Sequence, residues 1–283
     1  MTIAMITVPP VHPSPLFQFL AQALAQRLDE KPAGWLAAKL ATLQDGFQPK
    51  DLYLAFGAAP RFVGHAALAL EAGELARAGE LRPGFAPVNW SLAQTARTLF
   101  LLTIPSTSEA AYVATIDQLF NTADMNELVA LYAALPLLAF PSAHAKRAAE
   151  GVRTNMTVVF EAVALHNPFP AEQLDENAWN QLFLKAVFTG RPIEQIQGLK
   201  ARANATLAKI CSDYAHERWA AGREVSPELW LPVAPFLDAQ LLGDMERLLA
   251  SGDPAQRAAA VAVCTESPLP AAKALLARFA EKS

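Results

Sequence analysis

Only two of the 283 residues are cysteine, Cys211 and Cys264. No disulfide framework can build this fold. Both sulfurs stand in apolar helical contexts that read as reduced, buried thiols, which fits a reducing compartment. Basic residues are scattered, with no lysine–arginine cluster and no basic–aromatic stripe, and the formal net charge is −4. Neutralising phosphates needs concentrated positive charge, so nucleic acid is excluded as the main partner. Long hydrophobic runs are lacking too. The longest, 128–140, is interrupted by Pro136 and is too short to span a bilayer. The opening MTIAMITVPPVHPSPLF has neither a basic start nor a continuous apolar stretch. No secretory leader is expected, and the protein is expected to be soluble and cytoplasmic. Strand signals are scarce. The best, 156–159, continues as Val152, Met156, Val159, Phe160 and Val163, a helical spacing that reads as a buried helix. Gly-rich phosphate loops, a GxSxG elbow and a DDxxD pattern are missing, and no cofactor is expected.

What the chain has is apolar mass. Hydrophobic residues make up 53% and charged residues only 18%, enough to bury a sizeable, ordered core. Apolar residues recur at spacings of three and four, as in Leu16, Phe19, Leu20, Leu24 and Leu28 after Pro15, or Leu36, Leu40 and Leu43. Caps and breakers frame these segments. Ser91 precedes LAQTARTLFLLTI and Pro105 ends it; Ser108 starts the next segment. Asp124 with Glu127 three residues on has the form of a capping box, Asp175 opens a segment ending at Gly190, and Ser226-Pro227 opens another. Most of the 21 prolines, among them Pro9, Pro10 and Pro13, fall between segments. The pattern predicts an all-α chain of antiparallel helix pairs, an irregular α-solenoid or α–α superhelix. It is read as a single domain over 1–283, with a candidate seam near 79–90 and a HEAT-like tail over 253–281.

Polar residues interrupt the apolar pattern most densely between Arg153 and Trp230. Asp213, His216 and Glu217 share one helix face with Lys209 a turn earlier, which suits either a polar site or solvated charge pairing. His216-Glu217 begins an HExxH pattern, but Ala220 stands where the second histidine is needed, so no metal site is expected. Arg153, Thr157 and Glu161 are four apart and predict a line along one helix, with Asn155 and His166 close in angle. His166-Asn167-Pro168 reads as a helix end. Asn180 and Lys185 lie in a strongly apolar segment, where Lys185 suits either a side chain reaching out to solvent or a partner of Asp213 or Glu217 on the next helix. Asn204 is expected to cap the helix after it. The helices carrying these groups are expected to converge, because charge beside an apolar face is costly without partners.

Six long runs stand out: LYLAFGAAPRFVG from Leu52, WSLAQTARTLFLL from Trp90, ELVALYAALPLL from Glu127, RTNMTVVFEAVALHNPFP from Arg153, NAWNQLFLKAVF from Asn177, and the run from Asn204 to Trp230. Together they resemble the EboA-domain proteins. The resemblance spans about Trp35 to the end. It implies a place in bacterial operons that also encode a prenyltransferase and a TatD-like hydrolase, linked to making or moving a small secreted metabolite. It assigns no catalytic residue. The leading expectation is a non-catalytic scaffold or binding protein for a pathway enzyme or a small-molecule intermediate. Its binding residues would be Arg153, Asn155, Glu161, Asn180, Lys185, Asn204, Asp213, His216 and Glu217. The rival is an enzyme using Arg153, Glu161, Lys185, Asp213, His216 and Glu217. A partly enclosed apolar pocket favours an enzyme or a ligand carrier, and an open groove favours a protein partner.

Overall fold

The structure, a computed structural model, describes residues 14–281. The expectations for the first residues, including the missing leader and Pro9, Pro10 and Pro13, lie outside the described residues. The chain is all-α: the described residues form fifteen α-helices and a few 3-10 turns, with one isolated antiparallel bridge between Ala67 and Ser91. Packing divides it into two compact units, the first up to Leu174 and the second from Asp175. The 79–90 segment lies inside the first unit.

The first unit holds Pro15–Ala25 (α1), Glu30–Asp45 (α2), Pro49–Val63 (α3), Ala72–Leu81 (α4) and Leu92–Leu101 (α5). Glu109–Thr122 (α6), Met125–Ala134 (α7), Ala145–Arg153 (α8), Thr157–Ala164 (α9) and Phe169–Gln173 (α10) complete it. The second holds Glu176–Phe188 (α11), Ala205–Ala220 (α12), Ala239–Leu249 (α13), Pro254–Glu266 (α14) and Pro270–Ala280 (α15).

The helix starts follow the cap chemistry of the sequence. Ser91 Oγ accepts from the Gln94 amide at 3.1 Å, and Asp175 Oδ1 from the Ala178 amide at 2.7 Å. At α7 the box closes both ways: Glu127 N–H donates to Asp124 Oδ1 at 2.8 Å, and Asp124 N–H to Glu127 Oε2 at 3.0 Å. Asn204 caps α12 as expected, accepting from the Leu207 amide at 2.8 Å. Ser226-Pro227 opens a short 3-10 turn.

One element is corrected. The helix expected to run through Arg153 to Glu161 is two helices: α8 ends at Arg153 and α9 starts at Thr157. Thr154 turns extended, at φ −61° and ψ 148°, and its hydroxyl accepts from the Met156 amide at 3.2 Å. Short polar side chains compete for backbone groups in this way and break a helix whose apolar spacing would have continued. Arg153, Thr157 and Glu161 therefore do not form a line, and Asn155 lies in the bend. The helix end read at His166 stands: α9 closes at Ala164, and His166 takes φ 53°.

α5 is the spine of the first unit, packed by α1, α2, α3 and α7, and all ten of its residues are buried. Arg97 on α5 is 3% exposed. Its Nε donates to the Phe56 carbonyl at 3.0 Å, and its guanidinium pairs with Glu127 at 3.3 Å, so one buried cation joins α3, α5 and α7. Desolvation pulls the Arg97 pKa below its ordinary value, with Glu127 opposing. Where α7, α8 and α9 meet, Gly151 permits close approach: a Cβ there would lie 2.6 Å from Val163 Cγ2 and 2.7 Å from Tyr132 Cε1. These contacts fix α5, α7 and α9 around the cleft described next.

Candidate functional site

The three helices α5, α7 and α9, with the loop before α5, enclose a cleft of about 340 Å³ in the first unit. That volume falls in the range of small-molecule sites. Phe85 and Trp90 form one wall, packed edge to face at 5.4 Å. Val129 and Leu165 add apolar surface, and Val88, Met125 and Val158, each about two-fifths exposed or more, surround the mouth. No lysine or arginine lines it; Glu161 and His166 are its titratable groups.

Two of its polar residues are architectural. The Asn167 amide donates to the carbonyls of Tyr132 and Ala162, at 3.1 and 3.0 Å, and its Oδ1 accepts from the Phe169 amide at 3.0 Å. The His166 carbonyl accepts from Ala86 N–H at 3.3 Å and holds the loop wall to the end of α9.

Gln94 is different. α5 carries four polar residues, all buried. Thr95 and Thr98 donate to the carbonyls of Ser91 and Gln94, and Arg97 is held by Phe56 and Glu127. Gln94 is 9% exposed, lines the cleft, and has no hydrogen-bond partner for its side-chain amide among the described residues. The residue is buried but its amide is not enclosed: among the described residues, the fully enclosed side-chain polar atoms without a partner belong to Gln44, His144, Trp179, Trp230 and Gln256, and the Gln94 amide opens onto the cleft. Held there by a buried helix, with its donors and acceptor uncommitted, it can bond to a molecule in the cleft. Sequence reasoning missed Gln94. Its signal was one amide in an otherwise buried helical run, where neighbouring threonines can return their hydroxyls to the backbone and a glutamine cannot.

Of the residues expected to bind, only Glu161 lines this cleft. Arg153 and Asn155 are exposed at the α8–α9 break. The other six belong to the second unit. There Asn180, 4% exposed, and Asn204 exchange side-chain amide bonds at 2.8 and 3.3 Å, tying α11 to the cap of α12. Lys185 is partly buried, and burial lowers its ammonium pKa. Asp213 and Glu217 are exposed on α12.

His216 finds a partner that the sequence pattern did not suggest. Its Nε2 lies 2.5 Å from Oδ1 of Asp244, a residue of α13 that is 3% exposed. Ser212, one turn before His216, donates to Asp244 Oδ2 at 2.5 Å, and Gln240 donates to Ser212 at 3.0 Å. The neighbours available within α12, Asp213 and Glu217, are not used.

Cys211 and Cys264 are free and buried, and desolvation pushes the Cys211 thiol up to about 12, far from a nucleophile's range. No helix among the described residues is long and apolar enough to cross a membrane.

No curated protein and no solved structure matches the chain. A family model does, over residues 16–234, a span that contains the whole cleft and ends before α13. The chain belongs to the family of the metabolite traffic protein EboA.

Proposed function

We propose that this EboA-family chain is a non-catalytic carrier whose first-unit cleft holds a small, largely apolar, uncharged metabolite. It would work in the cytoplasm, receiving the molecule from a pathway enzyme or passing it to one. The observation that carries this reading is Gln94: an amide without a protein partner, set on a buried helix and opening onto an apolar cleft. The ring pair Phe85–Trp90 and the aliphatic wall would take the ligand's apolar body. Gln94 would both donate to and accept from one polar group at its buried end. With no cation in the lining, a phosphate or carboxylate would be desolvated without compensation, so an anion is disfavoured. The mouth, rimmed by Val88, Met125 and Val158, suits entry of an apolar molecule.

In the same reading, the tail over 253–281 is a HEAT-like helix pair. Asp253 caps α14 ahead of Pro254, and Ala260, Cys264 and Ala272 are buried where α14 packs on α15.

The test is native mass spectrometry of the chain purified from its own host. Wild type should carry a bound small molecule. Val129→Trp, which fills the cleft from a half-buried position, should carry none while its circular dichroism is unchanged. A bound molecule retained by Val129→Trp would overturn the assignment of the cleft.

A further inference from the structure

The second unit contains a groove with the opposite chemistry. It runs between α12 and α13 and is bordered by His216, Trp219, Gln240, Gly243, Asp244 and Arg247. Asp244 is its acid, and that carboxylate is already occupied by His216 and Ser212. A carboxylate only accepts, so this contact places the ring proton of His216 on Nε2 and turns Nδ1 outward. Half of the His216 side chain is exposed, at 51%, on the groove side of a fixed anchor.

Arg247 stands on the same groove. Its guanidinium lies 4.3 Å from the ring of Trp219, and Trp219 is backed by Trp230 at 6.0 Å and flanked by His216 at 5.4 Å. Stacking on a ring that is itself packed restricts the guanidinium without consuming its N–H groups. Glu224 and Asp253 border the depression on the other side of Arg247, yet neither forms an ion pair with it. Arg247 has no carboxylate partner among the described residues. By contrast, Arg278 on α15 is paired with Glu246, the residue before Arg247, at 2.9 Å.

We propose that the α12–α13 groove is an oxyanion site, in which Arg247 and the Asp244-anchored His216 together hold a phosphate or carboxylate group of a small ligand. Arg247 supplies parallel N–H donors suited to two oxygens of one group. His216 supplies the second contact, through Nδ1, accepting from the P–OH of a phosphate, or donating to an oxygen of either anion when the ring is protonated. The Ser212–Gln240 pair keeps Asp244 in place from behind. The groove differs from the cleft in chemistry and in the residues that build it: its Gln240, Asp244 and Arg247 lie beyond residue 234, where the family match ends.

The test is calorimetric titration of the full chain with inorganic phosphate, and separately with acetate, at constant ionic strength. Wild type should bind one of them saturably. Arg247→Met should weaken that binding by about tenfold or more, the scale of one lost charge-assisted contact. Gly243→Trp supplies a second variant that leaves the cluster itself intact. A Cβ at Gly243 meets nothing within 4 Å, so the new ring can occupy the groove without forcing the helices apart. It should abolish binding, while Arg278→Met should leave it unchanged. Phosphate binding names a phosphorylated ligand and acetate binding a carboxylated one. Either with this variant pattern supports the site. No saturable binding of either anion, or binding equal in wild type, Arg247→Met and Gly243→Trp, overturns it.

Discussion

The cleft of the first unit and the groove of the second differ in how their polar groups are settled. In the groove, the buried carboxylate of Asp244 has two donors, and the group left without a partner is an exposed cation, Arg247. In the cleft the unpartnered group is a neutral amide, Gln94, on a residue that is 9% exposed and opens onto the cleft. An exposed arginine costs little when its site is empty, because water solvates it. The Gln94 amide opens onto the cleft, so water can solvate it too when the cleft is empty. Both sites tolerate vacancy, and what separates them is the charge of the uncommitted group. The cleft lies wholly within the part of the chain that carries family membership.

The largest expected effect comes from unfastening the cleft's frame. Arg97→Met leaves Glu127 facing the interior without its cation and the Phe56 carbonyl without its donor. Breaking a buried pair from one side costs about 3–5 kcal/mol. Hydrogen exchange followed by mass spectrometry should show protection lost across α3, α5 and α7, with α12 and α13 unchanged. Loss of protection in both units alike would erase the distinction drawn between them.

Next is Gly151→Ala. Alanine is the better helix former by about 1 kcal/mol, so α8 considered alone should gain. The clash with Tyr132 and Val163 should reverse the sign, with a net loss of about 1–3 kcal/mol read by denaturant unfolding. A stabilised variant would mean that α7, α8 and α9 are less tightly packed than described.

Gln94→Leu sharpens the comparison, because it should separate binding from stability. The amide has no protein partner to lose and faces the cleft, so stability should change by no more than about 0.5 kcal/mol, read as Tm, while ligand binding in the cleft is lost. A drop in Tm of several degrees would instead give Gln94 a structural partner.

Acid should give the smallest effect. His144, fully buried with Nε2 bonded to the Ala139 carbonyl at 3.0 Å, has its pKa lowered by desolvation. The unfolded chain then takes the proton more readily than the folded one, so this contribution is complete above about pH 6.5 and declines as pH falls below it. His144→Gln should flatten the pH dependence of first-unit stability across that window, measured by urea midpoints.

Much of the helical frame was legible in the sequence, for a local reason: a cap acts within one turn. Ser91, Ser108, Asp124, Asp175, Asn204 and Asp253 all cap the helices they precede. The break at Thr154–Met156 was not legible, because apolar spacing continued through it and the competing bond belongs to one hydroxyl. The sites were harder still. Gln94 is unpartnered only because its neighbours on α5 found partners, a fact of packing that no spacing reports. His216 was singled out in the sequence as a candidate polar residue. Its partner Asp244 comes from α13, and Asp213 and Glu217, which sequence proximity favoured, face solvent. Of the residues expected to bind, Glu161 reached the cleft. It did so from a helix that starts after the break, not from the line through Arg153.

The comparison between cleft and groove comes down to one pair of titrations. The chain is titrated by calorimetry with 2-naphthol, a neutral ring system with a single hydroxyl, and with 2-naphthoate, its anionic counterpart. The cleft should take 2-naphthol at one site, weakened about tenfold or more by Gln94→Leu and indifferent to Arg247→Met. It should exclude 2-naphthoate, and any binding of that anion should depend on Arg247. Naphthoate bound as tightly as naphthol with both lost in Gln94→Leu, or no naphthol binding at all, would contradict the account of a neutral-ligand cleft.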